Sequence, residues 1–206
     1  MTEDKHIYAP AEGHGLAHDP FNAIVGPRPI GWVSTLSAEG VRNLAPYSFF
    51  NAFNYRPPII GFCSTGAKNS LANVQATGEF VWNLATRALA EQMNVTAATV
   101  GPEVDEFELA GLIAAPSLRV KPSRVAASPV NFECRVTQIL RLKTAAGDDV
   151  DSWVVFGEVV TAHIDRRFIK DGVYDTAAAH PVLRAGGPST YVEVTPEAVF
   201  HMTRPR

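Results

Sequence analysis

A chain of 206 residues, 46% hydrophobic and 19% charged, has apolar material for a real core and is long for one domain but short for two well-built ones. Its net charge of −3, with no block of Lys and Arg, gives no electrostatic reason to expect nucleic acid or an anionic membrane as partner. No apolar run approaches the ~18 residues of a membrane helix, the start from Met1 to His6 has no secretory pattern, and Cys63 and Cys134 fit a reducing compartment, so the expectation is a cytoplasmic protein without a disulfide framework.

Residues 1–20 are polar, carry Gly13, Gly15 and Pro20, and read as an arm. From Pro27 to about Asp165 strand signals dominate. The run at 29–36 is closed by the turn-like Ser37-Ala38-Glu39-Gly40. A second run at 43–53 holds Tyr47, Phe49, Phe50 and Phe53, and Pro57-Pro58 restarts the chain into an apolar run at 59–64. A helix is predicted over about 69–76, with Leu71 and Val74 on one face and Gly78 as its stop. Another is predicted over about 87–95, with Thr86 as N-cap and Leu89 and Met93 four apart.

The clearest strand covers 130–143. Val130, Phe132, Cys134, Val136, Leu140 and Leu142 fall on one face; Asn131, Glu133, Arg135, Thr137, Arg141 and Lys143 fall on the other; Gln138 and Ile139 are out of step. That period of two predicts one face on the core and one in water. The turn Ala146-Gly147-Asp148-Asp149 predicts antiparallel pairing with the run at 150–164, which is apolar on both faces. Scattered Gly and Pro suit a loop-rich β-protein. The expectation is one β-barrel domain over 1–206, with helical insertions and a C-terminal extension from about 166.

Several chemistries lack their signatures. There is no Gly-x-Gly-x-x-Gly between strand and helix, no phosphate loop ending in Gly-Lys-Ser/Thr, no nucleophile elbow, and no metal-ligand spacing. Three segments stand out instead: Arg28-Pro29-Ile30-Gly31-Trp32-Val33-Ser34-Thr35; Asn43-Leu44-Ala45-Pro46-Tyr47-Ser48-Phe49-Phe50; and Ser64-Thr65-Gly66-Ala67-Lys68-Asn69-Ser70, which leads into a helix. Each sets small hydroxyls and backbone amides beside aromatics, the mixture a planar flavin needs. The third adds a cation at a helix start, where free N–H groups make a phosphate site. Taken singly, each has a structural reading. Ser34 and Thr35 suit any strand, Trp32, Phe49 and Phe50 suit a core or subunit interface, Ser70 suits a helix cap and Lys68 a solvated surface. Cys63, beside Ser64, has two readings, a redox-active thiol or a small buried apolar residue, of which the second is favoured, and His163 and His180 show no partners and receive no catalytic role.

Taken together these segments resemble the flavin reductase domain family. The resemblance adds Pro57-Pro58, Gly78-Glu79-Phe80-Val81-Trp82-Asn83, Phe156-Gly157-Glu158-Val159-Val160, and Leu183-Arg184-Ala185-Gly186-Gly187 with Tyr191, in order over about residues 20–195. It implies a mainly β fold, the antiparallel, Greek-key FMN-binding split β-barrel, assembled as a homodimer. Residue by residue, it implies that Trp32, Val33, Ser34, Thr35, Ser48, Phe49 and Phe50 line the isoalloxazine ring and that Ser64, Lys68, Asn69 and Ser70 hold the phosphate. Where the family commonly has Lys-Asp-Thr, this chain has Lys68-Asn69-Ser70, which keeps a hydroxyl and removes a negative charge near the phosphate. The implied activity is an NAD(P)H-dependent flavin reductase, with NADH or NADPH passing hydride to flavin N5 and electrons going on to oxygen, a flavin-dependent monooxygenase or another acceptor. Alternatives are an FMN electron carrier, an FMN protein acting directly on a small substrate, and a non-enzymatic binding module. FMN is expected over FAD because no second phosphate loop is visible.

Overall fold

The computed structural model describes residues 4–205; residues 1–3 of the arm and residue 206 of the extension lie outside them. Seven strands form one antiparallel sheet: β1 (Gly31–Leu36), β2 (Arg42–Tyr47), β3 (Phe50–Tyr55), β4 (Pro58–Thr65), β5 (Glu79–Asn83), β6 (Val130–Lys143) and β7 (Asp149–Ile164). Their spatial order is β2-β1-β5-β6-β7-β4-β3. The two ends of that order, β2 and β3, are consecutive in the chain, with only a bend at Ser48 and Phe49 between them. The sheet therefore curls until its edges meet through the chain itself, which is the split barrel. The single run expected at 43–53 is two strands because the chain turns this corner.

β1 is buried on both faces. Trp32, with Leu44 of β2, packs against Met93 and Phe107, whereas Val33 joins Phe62, Leu71, Val74 and Phe80. Burying a side chain of that size stabilises the fold by about 1.5–3 kcal/mol. The barrel is tight at Gly157 of β7, where an added Cβ would lie 2.3 Å from the Phe80 ring and 3.1 Å from Cys134 Cβ.

The hairpin β6–β7 forms as the turn at 146–149 predicts, and the phase slip at Gln138 and Ile139 is a bulge. Phe156 pairs with Gln138 and Gly157 with Val136, which leaves Thr137 extra. The polar face of β6 is not all in water, however. Asn131 and Glu133 are 2% and 0% exposed. Glu133 accepts the N–H groups of Leu118 and Arg119 at 2.7 and 2.6 Å, so the loop at 116–123 covers it. Beyond the bulge Leu140 and Leu142 are exposed instead. The two histidines left without partners in sequence both have one: His163 Nε2 meets Glu133 at 2.6 Å, and His180 Nδ1 meets Glu193 at 2.6 Å.

Helix α1 (Asn69–Thr77) lies between β4 and β5, and Gly78 ends it in the left-handed region at φ 70°. The second predicted helix divides into a 3₁₀ turn, Arg87–Leu89, and α2 (Ala90–Val95). Thr86 does not cap it: Thr86 bridges Pro181, and Arg87 N–H donates to the His180 carbonyl at 2.8 Å. An unanticipated turn, α3 (Glu106–Leu109), is capped by Asp105, which accepts from Phe107 N–H at 2.9 Å. In the C-terminal extension, β8 (Val182–Arg184) pairs with Arg28–Pro29 on one side and with β9 (Tyr191–Glu193) on the other, tying the extension to the start of the barrel. No helix among the described residues is long and apolar enough to cross a membrane.

Candidate functional site

A cavity of about 280 Å³ opens where the N-terminus of α1 meets the edge strand β2. Lys68, Asn69 and Ser70 line one side, Asn43 and Tyr47 of β2 another, and residues 96–100 and Glu106 the third. Lys68 takes the N-cap position with extended backbone, and no side chain caps the helix. The first N–H groups of α1 thus have neither intrahelical nor capping partners from side chains, and the helix dipole adds positive potential there. Lys68 is exposed at the rim. Glu106 is the opposing charge, and its two oxygens accept from Asn43 Nδ2 at 2.7 Å and Leu44 N–H at 3.0 Å.

The Tyr47 hydroxyl is buried without a hydrogen-bond partner. Burial raises its pKa; the nearby Ser70 and Ser64 hydroxyls offset part of this, although neither completes a hydrogen bond to it, and Glu106 adds to the rise. The phenol therefore keeps its proton at neutral pH. An unmet buried hydroxyl costs about 1–3 kcal/mol, which a ligand atom accepting its proton would recover.

β1 builds this cavity from beneath. Thr35 Oγ1 donates to Asn43 Oδ1 at 3.1 Å and accepts from Asn73 Nδ2 of α1 at 3.0 Å. Ser70 Oγ donates to the same Asn43 oxygen at 2.7 Å. These bonds hold the start of α1 against β1 and β2. Trp32 Nε1 donates to Thr96 Oγ1 at 3.0 Å, and Thr96 Oγ1 donates to the Met93 carbonyl at 2.7 Å, which fixes where the wall at 96–100 begins. Ser34 Oγ donates to the Ser123 carbonyl at 2.5 Å. Trp32, Val33, Ser34 and Thr35 are at most 1% exposed and line none of the cavities described here.

Two further cavities flank the corner between β2 and β3. One of about 400 Å³ is lined by Arg28, Phe49, Phe50, Phe62 and Cys63, among others. Arg28 Nε donates to the Ser48 carbonyl at 3.0 Å, its Nη1 bonds the Asn22 and Val25 carbonyls, and its guanidinium lies 5.5 Å from the Phe49 ring centre. Burial pushes the Cys63 thiol up, away from the reactive thiolate. The other cavity, about 490 Å³, is apolar and lies between the barrel and the C-terminal extension.

Comparison with known proteins gives this arrangement its family. The flavin reductase like domain matches residues 26–181. The chain belongs to that family. An uncharacterized protein of Aquifex aeolicus is 35% identical to this flavin reductase-like chain over 170 residues, 80% of the chain and 83% of the relative. Nitrilotriacetate monooxygenase component B from Bacillus cereus superposes with a TM-score of 0.81 at 25% identity, covering 91% of this chain and 98% of that one. The 2-nitrobenzoate 2-nitroreductase of Pseudomonas fluorescens gives 0.77 at 28% identity, covering 90% and 88%.

The residues at the α1 cavity fit a flavin that carries a phosphate. They offer an uncapped helix N-terminus, a lysine, and a buried phenol lacking an acceptor. Of the eleven positions named from sequence, Lys68, Asn69 and Ser70 come together here, whereas Phe49 and Phe50 sit on the neighbouring cavity. Ser48 and Ser64 line neither. Ser64 Oγ donates to the Gly66 carbonyl at 2.9 Å and Ser70 Oγ to Asn43, so either must break a bond to donate to phosphate. Sequence reading missed Tyr47, although it stands in a singled-out segment, and missed the wall at 96–100, whose small residues carry no pattern.

Proposed function

We propose that this flavin reductase-like chain binds FMN and works as an NAD(P)H-dependent flavin reductase. The α1 cavity carries the reading: it joins a helix N-terminus, Lys68 and the unpartnered Tyr47 hydroxyl. Lys68, Asn69 and the α1 amides hold the phosphate, with Ser70 and Ser64 donating to it only after their hydroxyls re-pair. Tyr47 holds its proton at Oη and offers it to an acceptor on the flavin. Ser48, Phe49 and Phe50, at the corner between β2 and β3, orient the ring. Trp32, Val33, Ser34 and Thr35 act from beneath it, by fixing the walls. Bound FMN supplies a two-electron acceptor that also releases electrons singly, a chemistry no side chain has.

NADH and NADPH oxidation with added FMN tests this. Turnover of either nucleotide supports the activity; FMN binding without turnover leaves an electron carrier in its place. The likeness to a nitroreductase favours a second reading, in which the same flavin acts directly on a small substrate held in the chain. The acceptor in the first reading is oxygen or a partner such as a flavin-dependent monooxygenase, in the cytoplasm. The working form is a homodimer: β3 is a sheet edge with Phe53 and Tyr55 57% and 80% exposed, and β7 exposes apolar surface that a second copy would cover. Sedimentation at micromolar concentration should give a dimer, and a monomer would overturn that assignment.

A further inference from the structure

The apolar cavity between the barrel and the C-terminal extension lies apart from the α1 cavity, and of the residues assigned to the flavin it holds only Phe50. Phe50, Trp82 and Phe132 form its barrel side, and Leu183 and Val194 its extension side. Phe50 and Trp82 stack at 5.6 Å with planes 6° apart, and Phe132 lies 4.9 Å from the Trp82 ring. Trp82 is locked, since its Nε1 donates to the Ile30 carbonyl at 2.9 Å. The surface offered is therefore flat, aromatic and already shaped. At about 490 Å³ the cavity has the size of a small-molecule pocket.

Charge decides the class of occupant. No Asp, Glu, Lys, Arg or His lines the cavity among the described residues; the polar side chains are Asn51, Tyr174 and Thr176. The chain neighbours of the lining carry both signs, with Asp175 after Tyr174 and Arg28 and Arg184 beside Pro29 and Leu183, but both guanidiniums are spent on backbone carbonyls and neither lines the cavity. An anion would lose its hydration and gain no partner. We infer that this cavity is a binding site for a small, neutral, planar aromatic molecule, held against Trp82 and Phe132 and oriented by Asn51 or Thr176. A free ligand fits better than a protein segment because the lining is concave, of ligand size, and closed on one side by the chain's own extension. The inference does not rest on the flavin reading, although Phe50 borders both sites.

Naphthalene-2-carboxamide and naphthalene-2-carboxylate share a ring and differ in charge, so they serve as probes. Calorimetry on the full chain, with and without saturating FMN, should show one saturable carboxamide site per chain, unaffected by FMN and accompanied by a change in tryptophan emission. The carboxylate should bind more weakly by about tenfold or more. Thr176→Trp and Ala52→Trp place bulk at two exposed lining positions, and at least one should weaken the carboxamide about tenfold; Thr176→Trp, outside the β3 edge given to the dimer, should leave thermal stability and FMN affinity unchanged. Equal binding of the two probes, competition by FMN, or full binding in both variants would each overturn the site. Carboxamide binding that appears only on dilution would overturn it too, by assigning the cavity to a second copy of the chain. Failure of FMN itself to bind would sink the flavin reading and leave this one standing.

Discussion

Lys68→Ala separates anchoring of the phosphate from contact with the ring. A hydrogen bond to a charged group is worth ~1.5–3 kcal/mol. Lys68 stands exposed at the cavity rim, so solvent screens its contact and the lower end applies. About 1.5 kcal/mol corresponds to roughly tenfold weaker FMN binding. The loss stays bounded because the substitution spares the uncapped N–H groups of α1, which continue to favour an anion. Riboflavin lacks the phosphate and should bind the variant as it binds the parent. The gap between parent and variant for FMN should also narrow as salt rises, since an exposed charge is screened over about 10 Å at 0.1 M. Fluorescence titration of both flavins at two salt concentrations measures all of this. Equal weakening of riboflavin and FMN would refute the phosphate assignment and, with it, the argument from the helix end.

Tyr47→Phe removes an unmet buried hydroxyl, so the flavin-free protein should become more stable by up to ~1–3 kcal/mol while FMN binds ~3–10-fold more weakly; unchanged FMN affinity would free Tyr47 of any ligand role. Glu133→Gln sets an amide N–H₂ among three donors and should cost about 3 kcal/mol, or roughly 6–12 °C in melting temperature. Burial pushes the Glu133 carboxyl up, but the Leu118 N–H, His163 and Arg119 N–H outweigh it and hold it below the usual 4.5. Its contribution is therefore complete above the ordinary glutamate range and is lost as pH falls through the depressed native pKa; acid titration of parent and Gln variant should show their stabilities converging there. Gly157→Ala drives a methyl into the Phe80 ring and should cost about 1–3 kcal/mol, seen in urea unfolding, with no change if the ring can step aside freely.

Much of the barrel was legible because its signals are local. The strand β6 and its phase slip, read at Gln138 and Ile139 and found as a bulge at Thr137, were legible because a strand's two faces are set by neighbours one and two residues apart, although which face is buried changes along it. Gly78 ended α1 for an equally local reason: it alone escapes the steric penalty of the left-handed turn. The flavin family was legible as an ordered series of short motifs rather than through any one residue. The tertiary structure alone decided what the motif residues do. Trp32 supports a wall through Thr96, 64 positions away, and Thr35 holds α1 through Asn73, 38 away. Glu133 reads as a solvent-facing strand residue until the loop at 116–123 folds over it with two backbone N–H groups. Local periodicity records which way a side chain points, whereas its partner depends on which distant segment the closed barrel brings to that face. For the same reason the apolar cavity, half barrel and half C-terminal extension, has no counterpart in any stretch of sequence.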